Sequence, residues 1–180
     1  MITGRALLRE EIPQVWKIDR SEVIENLYRL ENGVLVMRSH HIDARGWPPG
    51  EAEKYTPILH ECFDRGGWFH GLFEGDAVVG VVVLDNKRIG KYGDRLQLEF
   101  LHVSSAYRKR GLGARLFGMA RSIAHERGAK RMYISATPSE NTINFYLRLG
   151  CEIASEPDPE LLAREPEDIH LECELGWGRE

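Results

Sequence analysis

The sequence predicts one mixed α/β (α+β) domain: a mainly antiparallel sheet with a central parallel strand pair and helices on both faces. Three observations predict it. Apolar runs of strand length recur at 68–73, 77–84 and 96–103 with turn residues between them, which reads as an antiparallel meander. The order then changes to strand, helix, strand, helix up to residue 149, and a crossover of that length joins parallel neighbours. With 180 residues, 42% of them hydrophobic, the chain has material for a single core, so residues 1–180 are taken as one domain.

In chain order, Ala6-Leu7-Leu8 marks a first strand over residues 5–9. Pro13 suits the first turn of a helix, where its missing N–H costs nothing, and Val15, Trp16 and Ile18 supply an apolar face. Ser21 followed by Glu22, Val23 and Ile24 predicts another short helical turn, and Val34–Met37 a strand. Gly46-Trp47-Pro48-Pro49-Gly50 is a loop by its chemistry. Residues 51–63 carry Tyr55, Ile58, Leu59 and Cys62 at helical spacing, with Pro57 inside the stretch. Glu74-Gly75-Asp76 turns one strand back on the next. The segment 85–94 is turn-rich and leads into the strand 96–103. The helix over 111–127 presents Leu112, Leu116, Ala120, Ile123 and Ala124 on one face and stops at Gly128. Residues 131–136 form a strand. Ser139 caps a helix that ends near Gly150, and the proline-bearing tail (Pro157, Pro159, Pro166) precedes a last strand at 169–175.

Composition narrows the function classes. The net charge is −4, which argues against a nucleic-acid-binding protein, and Arg108-Lys109-Arg110 is the one compact basic run. The three cysteines (Cys62, Cys151, Cys173) make no disulfide framework, and Met1–Arg5 lacks the apolar core of a signal peptide. A cytoplasmic protein is therefore expected. The longest apolar run, 77–84, is too short to span a bilayer, so no membrane partner is expected. His40 and His41 are adjacent on an extended segment and point opposite ways, so they make poor co-ligands. With Asp43 they do not constitute a metal site, and none is expected elsewhere. Trp47, Trp68, His40 and Tyr55, all in the first half, are candidates for an acceptor pocket or for packing.

The segment Arg108-Lys109-Arg110-Gly111-Leu112-Gly113 lies between an apolar strand and an amphipathic helix. A glycine-bearing turn at a helix start leaves backbone N–H groups without intrahelical partners, and the helix dipole adds positive potential there. Such a turn suits a phosphate or diphosphate. It lacks the G-x-x-x-x-G-K-[ST] spacing of a nucleoside triphosphate site.

Arg-x-x-Gly-x-Gly after a strand, followed by a helix, a second strand, Asn141 and Phe145-Tyr146-Leu147-Arg148-Leu149-Gly150, resembles the GNAT superfamily of acyl-CoA N-acyltransferases over residues 77–153. The resemblance implies acetyl-CoA as co-substrate and a small-molecule or peptide amine as acceptor, by direct attack in a ternary complex. It leaves a homodimer open. It places the diphosphate on Arg108, Lys109, Arg110, Gly111, Leu112, Gly113 and Ala114, and the pantetheine arm along Leu101, His102 and Val103. Asn141 is either a cofactor contact or a helix cap. Tyr146 is implied as the acid that protonates the departing thiolate. A phenol near pKa 10 donates without ionising first. Glu99 is the candidate base, because a carboxylate among apolar neighbours has its pKa pushed upward; the alternative is a solvent-facing Glu99. His102 has the opposite strand parity to Glu99 and so competes with it for the role, as does water. A non-catalytic acyl-CoA-binding module on the same scaffold is the alternative function. Gly113→Glu is expected to abolish cofactor binding.

Overall fold

The computed structural model describes residues 1–176. A seven-stranded sheet runs in the order β1-β4-β5-β6-β7-β9-β8. Its strands are β1 (Ile2–Ala6), β4 (Trp68–Glu74), β5 (Ala77–Ile89), β6 (Arg95–Val103), β7 (Arg131–Ala136), β8 (Glu152–Ile153) and β9 (Ile169–Glu174). Every neighbouring pair is antiparallel except β6 and β7. The helices are α1 (Glu51–Asp64), α2 (Leu112–Glu126), α3 (Glu140–Arg148) and α4 (Pro159–Arg164). The meander, the parallel crossover through α2 and the cap at Ser139, whose hydroxyl accepts from the Thr142 amide at 3.3 Å, match the sequence reading.

β5 runs on through residues 85–89, which the sequence reading assigns to a turn-rich segment, and three further stretches differ. The first strand lies at 2–6, three residues early, because residues 9–17 instead wind into a 3-10 helix that buries Ile12 and Val15. Residues 21–24 open a strand, not a helical turn: β2 (Glu22–Glu31) pairs with β3 (Val34–Ala44) in a separate two-stranded sheet. β-branched Val23 and Ile24 favour that extended form. β2 is docked where its Tyr28 amide donates to Pro138 O at 2.8 Å. Finally, the tail holds α4, entered at Pro159, with the Asp158 carboxylate accepting from the amides of Glu160 and Leu161, both at 3.1 Å.

The sheet has a core on each face. Leu98, Leu116, Phe117, Ile134 and Ile143 pack beneath α2 and α3. Ile12, Val15, Leu59, Val83 and Phe100 pack beneath the 3-10 helix and α1. One irregularity in β6 links these faces to the site. Val83 of β5 faces Phe100 and Leu84 faces Leu98, so Glu99 is an extra, unpaired residue. A bulge of this kind re-aims the side chains that follow it. Before it, Leu96 and Leu98 point into the α2/α3 core; after it, Leu101 and Val103 do. Phe100 and His102 turn instead to the α1 side, where their rings lie 5.6 and 4.7 Å from that of Trp47. The parity argument that separated Glu99 from His102 therefore fails: both face the α1 side.

Candidate active site

β6 and β7 pair only through Arg95↔Arg131, Leu96↔Met132 and Gln97↔Tyr133. Beyond Gln97 the strands part. The Ser104 amide donates to Val79 O at 2.9 Å, which sets the alternation of the β5–β6 ladder. With that phase Phe100 and His102 bond to β5, and the N–H and C=O groups of Leu101 and Val103 point toward β7, into the opening. An open edge is thus present at Leu101 and at the Val103 amide, while the Val103 carbonyl accepts from Arg108.

At the end of this edge lies the glycine turn. None of the amides of Lys109, Arg110, Gly111, Leu112, Gly113 and Ala114 has a protein acceptor among the described residues; the first bonded one is Arg115, to Gly111 O at 3.0 Å. Lys109 (φ 60) and Gly111 (φ 77) are both left-handed, and this alternation curls successive N–H groups into a concave nest. A non-glycine residue in that region costs about 1–2 kcal/mol. The neighbouring Arg108 offsets the cost. Its Nε donates to Val103 O at 2.9 Å, and Nη1 and Nη2 donate to Ser21 O at 3.0 Å and Asp19 O at 3.4 Å. These bonds make Arg108 a brace for the turn, with its donors directed at main chain. Arg108→Ala is expected to cost about 2–3 kcal/mol of stability, since it strands carbonyls that a charged donor satisfied. A thermal melt of the ligand-free protein checks this; an unchanged midpoint would contradict it.

Lys109 and Arg110 are exposed; Arg110 donates to Ala106 O at 2.9 Å and its guanidinium lies 5.3 Å from the Tyr107 ring. Gly113 has a packing reason as well: a Cβ there would lie 3.3 Å from the Phe145 ring. Asn141 is not the cap, which is Ser139; its Nδ2 donates to Glu22 Oε1 at 2.8 Å and ties α3 to the foot of β2.

Tyr146 is buried in the α2/α3 core, with its ring 5.8 Å from Phe117 and 5.0 Å from Phe145. Burial pushes its pKa above the ordinary phenol value, with Cys151 and Asp168 adding to the effect, so it stays a neutral O–H donor. Its hydroxyl has no partner among the described residues.

On the α1 side of the opening, the Glu99 side chain is 1% exposed and takes one hydrogen bond, from Arg164 Nη2 to Oε1 at 2.9 Å. Burial pushes its carboxyl up to about 7, against the lowering pull of Arg164. The solvent-facing alternative for Glu99 is excluded. His102 is pushed the other way, down to about 3, by burial and by Arg20 and Arg108. It is neutral at physiological pH.

Two contributors had no sequence signal. Asp168, just before β9, accepts from Ser135 Oγ of β7 at 3.0 Å, and burial pushes its carboxyl up to about 6. Arg164 sits in the tail read as loop. Of the pocket candidates, Trp47 and Tyr55 lie on the α1 side: the Trp47 ring stacks on Phe100 5.6 Å away, and the Tyr55 ring is 5.9 Å from the Arg164 guanidinium. Trp68 packs on the opposite core and stacks on His70, and His40 is exposed on β3.

The geometry is a wedge between parted strands, with unpaired amides and a buried tyrosine at one face and buried carboxylates at the other. Comparison with known proteins agrees. The Acetyltransferase (GNAT) family model matches residues 35–151, reaching upstream into the β3 and α1 region that carried no motif. No curated protein matches the chain. Among solved structures, nourseothricin acetyltransferase superposes with a TM-score of 0.69 at 17% identity, covering 97% of this chain and 99% of that one. PaiA N-acetyltransferase from Thermoplasma acidophilum, in complex with coenzyme A, gives 0.63 at 15%, again over 97% and 99%. An Escherichia coli N-acetyltransferase for the alanine of a ribosomal protein gives 0.61 at 16%, over 100% and 97%.

Proposed function

The chain belongs to the acetyltransferase (GNAT) family, and on that premise we propose that it transfers an acetyl group from acetyl-CoA to a primary amine by direct attack in a ternary complex. The single observation that carries this reading is the run of unpaired amides at 109–114. Those N–H groups, with Lys109 and Arg110 at the rim, suit the diphosphate of the co-substrate. The outward-facing N–H and C=O of Leu101 and the N–H of Val103 suit the amides of the pantetheine arm, which would add to the sheet edge as a short extra strand, while the Val103 carbonyl stays with Arg108. In this reading the thioester lies near the bulge, between Tyr146 and Glu99.

In the proposed step the acceptor nitrogen attacks the thioester carbon and the new C–N bond forms. A main-chain N–H at the end of β6 stabilises the developing oxyanion. Glu99, directly or through a water, takes a proton from the nitrogen. The C–S bond breaks and Tyr146 gives its proton to the departing sulfur. In this reading the acceptor approaches Glu99 from the α1 side of the sheet. Asn141, whose Nδ2 is held by Glu22, remains in this reading a co-substrate contact through its Oδ1.

Tyr146→Phe is expected to lower kcat roughly 100-fold, the lower range for loss of a general acid. Coenzyme A affinity should stay within about twofold, because the ring packing is kept. Steady-state kinetics with calorimetry check this. Unchanged turnover at saturating amine would remove Tyr146 from the reaction. The reading as a whole is tested by acetyl-CoA-dependent thiol release against a panel of amines. Tight coenzyme A binding with no release for any amine would favour a non-catalytic acyl-CoA-binding module instead.

A further inference from the structure

We infer that α4 is a strap that delivers Arg164 as the positioning residue for Glu99, holding one carboxylate oxygen and leaving the other for the acceptor's proton. The inference rests on Glu99 acting as the base in the proposed reaction.

The contact itself is one-sided. Arg164 Nη2 reaches Oε1 at 2.9 Å, and no donor among the described residues reaches Oε2. A carboxylate this deeply buried is costly unless a cation and a fixed geometry accompany it. Arg164 is well placed to supply both. Its guanidinium lies over the Tyr55 ring of α1, and its Nε is buried with no partner, so its one strong protein bond is to Glu99.

The helix carrying it is short, and a six-residue helix does not hold itself in place. Bonded and packed neighbours do so. The Asp158 amide donates to the Tyr133 hydroxyl at 2.9 Å, that hydroxyl bonds His170 Nδ1 at 2.7 Å, and Lys87 pairs with Glu160 at 2.7 Å. At its far end, Lys54 of α1 pairs with Glu165 at 2.9 Å. Leu161 is buried against Tyr133 and Ile89. The strap thus joins β5, β7, β9 and α1 around the Glu99 side chain.

The other groups facing Glu99 are Asp85 of β5, Arg65 at the end of α1 and Cys62 of α1. Asp85 and Arg65 are bound to each other, Arg65 Nε to Asp85 Oδ1 at 2.7 Å, and at Glu99 the raising effect of Asp85 exceeds the lowering effect of Arg65, both being smaller than the pull of the Arg164 charge. Burial holds the Cys62 thiol up and neutral. Arg164 is therefore the cation that governs Glu99.

The test is a pH titration of Glu99 by carbon-13 carboxyl NMR in wild type, Arg164→Gln and Arg164→Lys, with pH–rate profiles beside it. Removing the cation disfavours the ionised form. In Arg164→Gln the Glu99 midpoint should move to higher pH by at least one unit, and the acid limb of kcat should follow. Activity lost at pH 7 should then largely return by pH 9. Arg164→Lys, which keeps the charge, should shift less and guards against a misfolded Gln variant. An unmoved midpoint, or a rate loss equal at all pH values, overturns the inference. The NMR midpoint reads the contact without turnover. If Glu99→Gln kept full activity while the midpoint still moved, the base reading would fail and the Arg164 contact would stand.

Discussion

Gly111→Glu is expected to lower affinity for coenzyme A on the order of 100-fold, equivalent to about 2.8 kcal/mol. Gly111 sits in the left-handed region at φ 77, and a Cβ built there meets no atom within 4 Å. The protein can therefore accept a side chain at the cost of backbone strain alone, about 1–2 kcal/mol. The new carboxylate would stand at the mouth of the amide nest. There it would block the approach of the diphosphate and repel it. This variant is a cleaner probe than Gly113→Glu. At 113 the added atoms meet Phe145 at 3.3 Å, so lost binding there would mix a displaced α2 with a filled anion site. Calorimetry on Gly111→Glu, with a thermal melt to show that it folds, checks the expectation. Wild-type affinity in a folded Gly111→Glu protein would contradict the assignment of the nest.

Glu99→Gln carries the second large effect: kcat is expected to fall by roughly 10² to 10⁴, the range for a general base, with coenzyme A binding unchanged. The pH dependence gives the sharper signature. Burial holds the Glu99 carboxyl at about 7. Below that pH it is protonated and cannot accept a proton; above it, it can. The wild-type rate should rise from pH 6 to pH 8, and Glu99→Gln should lose that rise along with the activity. His102, at about 3, is already neutral across the window and cannot generate such a limb. Asp168, near 6, is the control. If Asp168→Asn abolishes the limb and Glu99→Gln preserves it, the base is Asp168.

Local patterns carried much of this architecture in the sequence. The meander, the parallel crossover and the capped α3 rest on strand-length apolar runs, helical spacing and cap residues within one element, and all three are present in the structure. The nest was legible for the same reason, since Gly111 and the helix start are neighbours in the chain. Features that depend on a partner strand were not. The bulge at Glu99 is a mismatch between β5 and β6, and period-two counting along β6 alone put His102 on the wrong face. The brace made by Arg108 depends on carbonyls of Asp19 and Ser21, far upstream. Residues 21–24 carry a serine before an acidic residue, which also opens helices, and the pairing with β3 decides for the strand. Arg164 stands 65 residues from the carboxylate it binds. Only the folded chain brings them together.

The most direct measurement is a crystal structure of the acetyl-CoA complex. The account predicts the diphosphate oxygens within hydrogen-bond distance of amides in the run 109–114, and the thioester carbonyl between Tyr146 and Glu99. A diphosphate bound away from that run, with its amides still unoccupied, would contradict it.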